Sequence, residues 1–178
     1  MFNVTILGFN QAYASAITGA LDLFALAGVT WQRMQGMTPS PFFEVQIATL
    51  KKQSVKCINQ LEIKSHIAIE DVKQTDLLLI PTIGGSLLSV INQNRALLPH
   101  IRRHFENGSD IASNCSGAFF LAEAGLLNGR EATTHWGYAE LFKSRYPEVN
   151  LCAEKLITSS QNIYCSGGGM AWFDLTLL

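Results

Sequence analysis

The stretch that decides the fold lies in the second half of the chain and reads Ile111-Ala112-Ser113-Asn114-Cys115-Ser116-Gly117-Ala118. A short apolar strand over 111–113 runs directly into a turn of small residues, and a helical pattern continues over 116–124. The junction residue is Cys115. This arrangement is typical of a nucleophile elbow, in which a sharp turn lifts a side chain above the carboxyl edge of a sheet. It predicts Cys115 at a strand-to-helix turn with a strained backbone.

The same stretch suggests a chemical role for Cys115. The helix that starts behind its sulfur favours the thiolate, because the helix dipole is positive at that end. The amide of Ser116 is a candidate oxyanion donor, and Gly84 with Gly85, after another strand, is placed to bring a second amide close. The alternative is that Cys115 is a small buried apolar residue, as free cysteines often are.

Short apolar strands alternate with helical stretches along the rest of the chain. Beyond 111–113, the pattern predicts strands at Phe2–Leu7, Phe43–Thr49, 76–80, 156–159 and Ile163–Ser166, the last two as a hairpin, and helices from Ser15, around 93–107 and over 137–145. Such alternation predicts an α/β fold with a mostly parallel sheet and helices on both faces. We expect one domain over residues 1–178.

Composition excludes several classes of function. Hydrophobic residues make up 48% of the chain and the formal net charge is −1, which describes a globular protein without a nucleic-acid-binding surface. No apolar run approaches the roughly 20 residues that a membrane span needs. The four cysteines form no C-x-x-C pair, so reduced thiols in a cytoplasm are the simplest interpretation.

Asp22 and His135 are further candidates for the site. Asp22 lies on the first predicted helix among apolar residues, where its carboxylate would be partly shielded from water and would share a proton with a nearby thiol. His135 would orient or deprotonate the Cys115 thiol, or bind the carboxylate of a ligand. The alternatives are an aspartate on the polar edge of an amphipathic helix and a histidine packed against Trp136.

We predict neither a metal nor a cofactor. His100 and His104 have the i, i+4 spacing of zinc ligands, but charged residues surround them, which favours a solvated helix surface. The run Gly167-Gly168-Gly169 precedes a predicted helix and would cradle an anion. It lacks the lysine and the remaining residues of a phosphate-binding loop.

Cys115–Trp136 reads CSGAFFLAEAGLLNGREATTHW and resembles the signature of the PfpI-like, class I glutamine amidotransferase-like superfamily. Within it, the run is similar to the branch shared by isonitrile hydratases and the N-terminal domains of AraC-type regulators. Residues 19–24 are similar to a first-helix motif whose acidic residue, here Asp22, faces the elbow cysteine. Residues 164–170 with Asp174 resemble the segment leading into the last helix.

The resemblance implies a flavodoxin-like sheet and a site in which Cys115, Asp22 and His135 cluster near Gly84 and Gly85. Three departures from the family pattern bear on activity. Peptidase-like relatives often have histidine where Ser116 stands, glutamine amidotransferases use a later histidine, and the usual Pro-Gly-Gly loop is replaced by residues 81–85, PTIGG. These departures argue against proteolysis and glutaminase chemistry.

The choice between regulator and enzyme depends on two further features. Residues 29–43 lengthen the first helix and its exit loop, which resembles the regulator branch, and the last helix stops in mid-pattern at Leu178. We therefore expect a sensor domain for an unknown small-molecule effector, a homodimer that pairs through helices flanking the elbow, and DNA binding by a C-terminal helix-turn-helix domain. The alternative is an isonitrile hydratase-like or other PfpI-superfamily enzyme with Cys115 as nucleophile.

Overall fold

The computed structural model describes residues 1–168 and 171–177. The strands in this part of the chain are β1 (Phe2–Leu7), β2 (Phe43–Thr49), β3 (Val55–Lys56), β4 (Glu62–Ile63), β5 (Ile67–Ala68), β6 (Leu77–Ile80), β7 (Asp110–Asn114), β8 (Glu131–Ala132), β9 (Asn150–Leu151), β10 (Ile157–Ser160) and β11 (Ile163–Ser166). The α-helices are α1 (Ala14–Leu26), α2 (Thr30–Met34), α3 (Leu87–Gln93), α4 (Leu98–Glu106), α5 (Ala118–Glu123), α6 (Ala139–Arg145) and α7 (Ala171–Thr176).

Among the described residues, the central sheet has seven strands in the order β10-β11-β7-β6-β1-β2-β5. All neighbouring pairs are parallel except β10 with β11, which form the predicted hairpin. Helices cover both faces: α1 packs with α7, and α4 packs with α5. The predicted α/β fold with a mostly parallel sheet is confirmed.

The helix predicted around 93–107 corresponds to α4, which begins five residues later than predicted, and a separate helix precedes it. α3 ends at Gln93 and α4 begins at Leu98, with Pro99 in its first turn. Proline has no backbone N–H to donate to the carbonyl one turn earlier, so it is favoured in the first turn of a helix. Gly108 follows α4 with a φ of +89°, a left-handed conformation that glycine adopts at little cost.

The first helix is not lengthened, contrary to expectation. α1 ends at Leu26, and Gly28 then turns the chain with a φ of +75° before the separate short helix α2 begins. A side chain at Gly28 would have its Cβ 2.3 Å from the Ser40 carbonyl oxygen. The turn therefore depends on glycine, both for its φ and for the close backbone approach.

The core around α5 explains why Cys115 has a fixed position. Phe119 and Phe120 are fully buried. The Phe120 ring lies 4.9 Å from that of Phe9, and the Phe119 ring lies 4.8 Å from that of Phe142 in an edge-to-face contact. With β7 in the centre of the sheet, both sides of the turn at Cys115 are anchored in packed structure.

Candidate functional site

Cys115 follows β7 directly and opens a 3₁₀ turn, Cys115–Gly117, that leads into α5. Its φ is +54°, in the left-handed region that non-glycine residues rarely adopt. Such a conformation costs on the order of 1–3 kcal/mol and persists only where the surroundings enforce it. The strand-to-helix turn and its strained backbone are as predicted.

Gly117 lets the turn approach the end of β6. A Cβ at this position would lie 2.8 Å from the carbonyl oxygens of both Ile80 and Pro81. Atoms in a folded protein do not approach so closely without backbone movement. The need for small residues around the elbow is therefore explained by the contact between the elbow and the strand beside it.

The Ser116 side chain ties the elbow to the loop after β6. It is fully buried, and its hydroxyl accepts a hydrogen bond from the Ile83 amide and donates one to the Ile83 carbonyl, both at 3.0 Å. The same loop pairs with the start of α1, because the Tyr13 amide donates to the Thr82 carbonyl at 3.0 Å. Elbow, loop and first helix therefore form one connected unit.

Burial dominates the surroundings of the Cys115 thiol. Burial raises its pKa, and the nearby Ser116 amide and Thr82 hydroxyl lower it to a smaller extent. Desolvation therefore acts against the thiolate that the helix dipole is expected to favour. Since the pKa lies above that of an ordinary cysteine, the thiol is protonated at neutral pH.

The residue before His135 contacts the elbow. The Thr134 hydroxyl donates to the Cys115 carbonyl at 2.9 Å, which brings the preceding residue into contact with the turn. The His135 ring accepts from the Gly137 amide through Nδ1 at 3.0 Å, so a neutral ring carries its proton on Nε2. The ring also packs on Gly168, where a Cβ would lie 2.4 Å from its Cδ2.

Asp22 is exposed, and the expectation of a carboxylate shielded from water is wrong. The buried face of α1 includes Ala16, Ala20 and Phe24. Residues that are two positions apart in a helix are rotated by about 200° from each other. Asp22 therefore points away from the side on which Ala20 is buried. The carboxylate therefore lies on the solvent side of α1.

Gly84 allows the loop after β6 to pack closely against neighbouring segments. Its amide donates to the Gln11 carbonyl at 2.7 Å, so it is not free to act as the second oxyanion donor. A Cβ on Gly84 would lie 2.7 Å from that same oxygen and 2.8 Å from the Ile58 side chain. Gly85 is exposed and has a φ of +61°, which places it at the outer edge of the loop.

Sequence reasoning missed polar residues around the elbow. Besides Thr82 and Thr134, Asn114 is buried directly before Cys115, and its Oδ1 accepts a 2.7 Å hydrogen bond from the Ser166 hydroxyl. The Asn114 Nδ2 is buried and has no hydrogen-bond partner among the described residues. The sequence did contain one indication of these residues: Thr82 stands where the family pattern Pro-Gly-Gly has a glycine, which brings a polar side chain into the loop.

One sizeable concavity of the described residues lies elsewhere. It has a volume of about 760 Å³ and is lined by residues that begin or precede strands, among them Phe2, Asp76 and Asp110. Cys115 follows the carboxyl end of its strand, where open parallel sheets bind their ligands. The elbow therefore remains the candidate site.

The histidines of α4 differ from expectation. His104 is fully buried, so it does not belong to a solvated helix surface. Burial, together with the nearby Arg103 and His100, lowers the pKa of His104 to about 4. The residues 1–168 and 171–177 contain no cluster of side chains suited to a metal ion. Gly169, in the predicted anion-binding run, lies outside the described residues.

None of the described helices is long and apolar enough to cross a membrane. Among proteins of known name, the chain is 34% identical to the HTH-type transcriptional regulator CdhR of Pseudomonas aeruginosa, over 67% of this chain and 34% of that one. It is 28% identical to the isonitrile hydratase of Pseudomonas putida, over 75% of this chain and 58% of the enzyme. The chain thus spans about a third of the regulator and somewhat more than half of the hydratase.

Solved structures show the same fold. A putative transcriptional regulator from Vibrio parahaemolyticus superimposes with a TM-score of 0.82 at 24% identity, over 99% of this chain and 88% of that one. The family model described as DJ-1/PfpI family matches residues 27–177. This match covers most of the chain, including the elbow, the His135 segment and the hairpin. The chain therefore belongs to the DJ-1/PfpI family.

Proposed function

We propose that this chain is the ligand-sensing domain of an AraC-type transcriptional regulator, in which a separate helix-turn-helix domain binds DNA. Relatives named as HTH-type regulators support the proposal. So does the charge of the chain, because 13 basic residues are offset by 14 acidic ones. DNA affinity requires several cationic contacts to phosphates, which this domain does not offer as a patch.

The observation that carries the proposal is the setting of the Cys115 thiol, which is largely buried beside uncharged groups of Ser116 and Thr82. A nucleophilic cysteine reacts as the thiolate, which a neighbouring base or cation normally stabilises. Here burial raises the pKa of Cys115, and the groups that oppose this are the uncharged donors of Ser116 and Thr82. A protonated thiol beside hydroxyls and an amide suits the binding of a small polar molecule better than covalent turnover.

The proposed binding residues are those around the elbow. Cys115 and the Thr82 hydroxyl form one side, and His135 offers the Nε2 proton as a donor to a ligand carboxylate. The Ser116 amide and Gly85 extend the set at the loop. We leave Asp22 out, since it faces solvent.

Binding would act by a population shift. A ligand held between the elbow and the loop stabilises one arrangement of the unit formed by β7, the loop after β6 and the start of α1. In a homodimeric cytoplasmic regulator this changes how the two DNA-binding domains are presented to paired half-sites. No chemical turnover is needed.

DNA binding tests the proposal. The full-length protein should bind promoter fragments in a sequence-selective and salt-dependent manner, whereas the 178-residue chain alone should not. Cys115→Ala should leave this binding intact and abolish its response to the effector. A full-length protein that shows no selective DNA binding would overturn the regulator assignment.

A second candidate is an isonitrile hydratase-like enzyme. The strained φ of +54° at Cys115 favours it, because strain of this kind is commonly retained where a side chain takes part in chemistry. This account predicts turnover of an isonitrile that Cys115→Ala abolishes. Absence of turnover by the wild-type protein, at pH values where the thiol is ionised, would exclude it.

A further inference from the structure

Between α1 and β2 the chain makes an ordered excursion over residues 27–42. Two backbone hydrogen bonds close its base: the Ser40 amide donates to the Gly28 carbonyl at 3.0 Å, and the Phe42 amide donates to the Ala27 carbonyl at 3.3 Å. α2 lies within the excursion and gives it regular structure. The segment thus presents its side chains from a defined backbone.

The end of α1 and the excursion carry five large exposed apolar side chains, which we call the apolar patch: Leu26, Trp31, Met34, Met37 and Phe42. Each of the five is half exposed or more, with Trp31 at 67% and Met34 at 72%. Trp31 and Met34 are three residues apart and therefore share one side of α2. Single exposed apolar residues are ordinary, but a group of large ones on one segment indicates an interaction surface.

The charges around the patch favour a second copy of this chain as the partner. Residues 23–43 contain one charged side chain, Arg33, which is exposed. Asp22, also exposed, lies one helical turn before Leu26 on the same side of α1. Two copies related by a twofold axis can place Asp22 opposite the partner's Arg33 without bringing like charges together.

A basic DNA-binding domain fits this surface less well. Such a domain carries an excess of lysine and arginine and would pair with an acidic face. The border of the apolar patch carries Asp22 and Glu44 against Arg33, so its net charge is too small to attract a strongly cationic domain. A self-complementary contact needs no such attraction, because each copy supplies both the acid and the base.

We propose that the apolar patch is the homodimer interface of this protein, with Trp31 and Met34 as its central contacts. Tryptophan is among the residues that contribute most to protein–protein affinity when it is desolvated at an interface. The inference rests on the proposed homodimer but not on ligand sensing. It places the contact on the excursion after α1 instead of on the helices flanking the elbow, where we expected it from the resemblance. It also assigns Asp22 a place outside the elbow.

Analytical ultracentrifugation of the 178-residue chain over a range of concentrations tests the interface. The unaltered chain should dimerise, and Trp31→Glu and Met34→Glu should each raise the dimer dissociation constant about tenfold or more. Leu156→Glu is the matched control, because Leu156 is 55% exposed and lies outside the patch. It should leave the constant unchanged, and circular dichroism should show every variant folded.

A charge exchange tests the orientation of the two copies. Arg33→Asp should weaken the dimer, and the double variant Asp22→Arg with Arg33→Asp should restore it, since opposite charges meet again. Restored dimerisation supports the twofold arrangement, and a double variant as weak as the single one overturns it. A dimer unaffected by Trp31→Glu and Met34→Glu would reject the interface alone. A chain that stays monomeric at all concentrations would reject the proposed dimer as well.

Discussion

The Ser116 hydroxyl bonds both backbone groups of Ile83, accepting from its amide and donating to its carbonyl at 3.0 Å each. One side chain thereby gives hydrogen-bond partners to two main-chain groups in the loop that follows β6. Ser116 stands where peptidase-like relatives often have histidine, and its hydroxyl is fully used by the loop. In this protein the residue after the elbow cysteine therefore holds the site together.

Ser116→Ala should destabilise the protein by about 1–3 kcal/mol, because the amide and carbonyl of Ile83 would be left buried without their partner. Urea unfolding monitored by circular dichroism measures the change. Ser144→Ala provides the control, since Ser144 is exposed on α6 and its loss should cost less than about 0.5 kcal/mol. Equal midpoints for the two variants would contradict the role given to Ser116.

Gly117→Ala should be destabilising by about 1–3 kcal/mol, because the added methyl group would lie 2.8 Å from two carbonyl oxygens at the end of β6. The same displacement should disturb the φ of Cys115. Unfolding midpoints report the first effect, and a crystal structure of the variant reports the second. An alanine accommodated without loss of stability would show that the elbow does not depend on this close contact.

Lowering the pH should destabilise the protein through His104. Its pKa is about 4 in the folded protein, mainly because of burial, and about 6.5 in an unfolded chain. Protons therefore bind the unfolded state preferentially as the pH falls from about 6.5 toward 4, and stability is lost in that window. Between pH 7.5 and pH 5 the loss should be about 2 kcal/mol.

His104→Gln is the variant that isolates this effect. It removes the titrating ring, so its unfolding free energy should change less between pH 7.5 and pH 5 than that of the wild type. Urea titrations at both pH values make the comparison. If both proteins lose the same stability over this interval, another group is responsible for the pH dependence.

Alkylation of Cys115 by iodoacetamide should be slow at neutral pH. Its rate should rise only at a higher pH than for an ordinary cysteine, because burial raises the pKa of Cys115. Peptide mass spectrometry follows the site against pH. Thr82→Val should move the profile to still higher pH, since it removes a hydroxyl that stabilises the thiolate. Fast reaction at pH 7 would instead support the nucleophilic role.

The local pattern of the sequence determined much of this fold. The bounds of β1 and β2 and the position of the β10–β11 hairpin follow from apolar residues and turn residues that are neighbours in the chain. The turn at Cys115 also follows from adjacent residues, because a strand followed by small residues and then a helix allows few backbone conformations. Those features depend on interactions between residues close in sequence.

Tertiary structure decided the parts of the site that depend on distant partners. The helical pattern around Asp22 did not state which side of α1 would meet the sheet, and the charged neighbours of His104 did not reveal that its ring is buried. The Gly84 amide is committed to Gln11, a residue far away in the chain. Direction, burial and hydrogen-bond partner are fixed only when the elements pack, because each depends on what lies opposite in space.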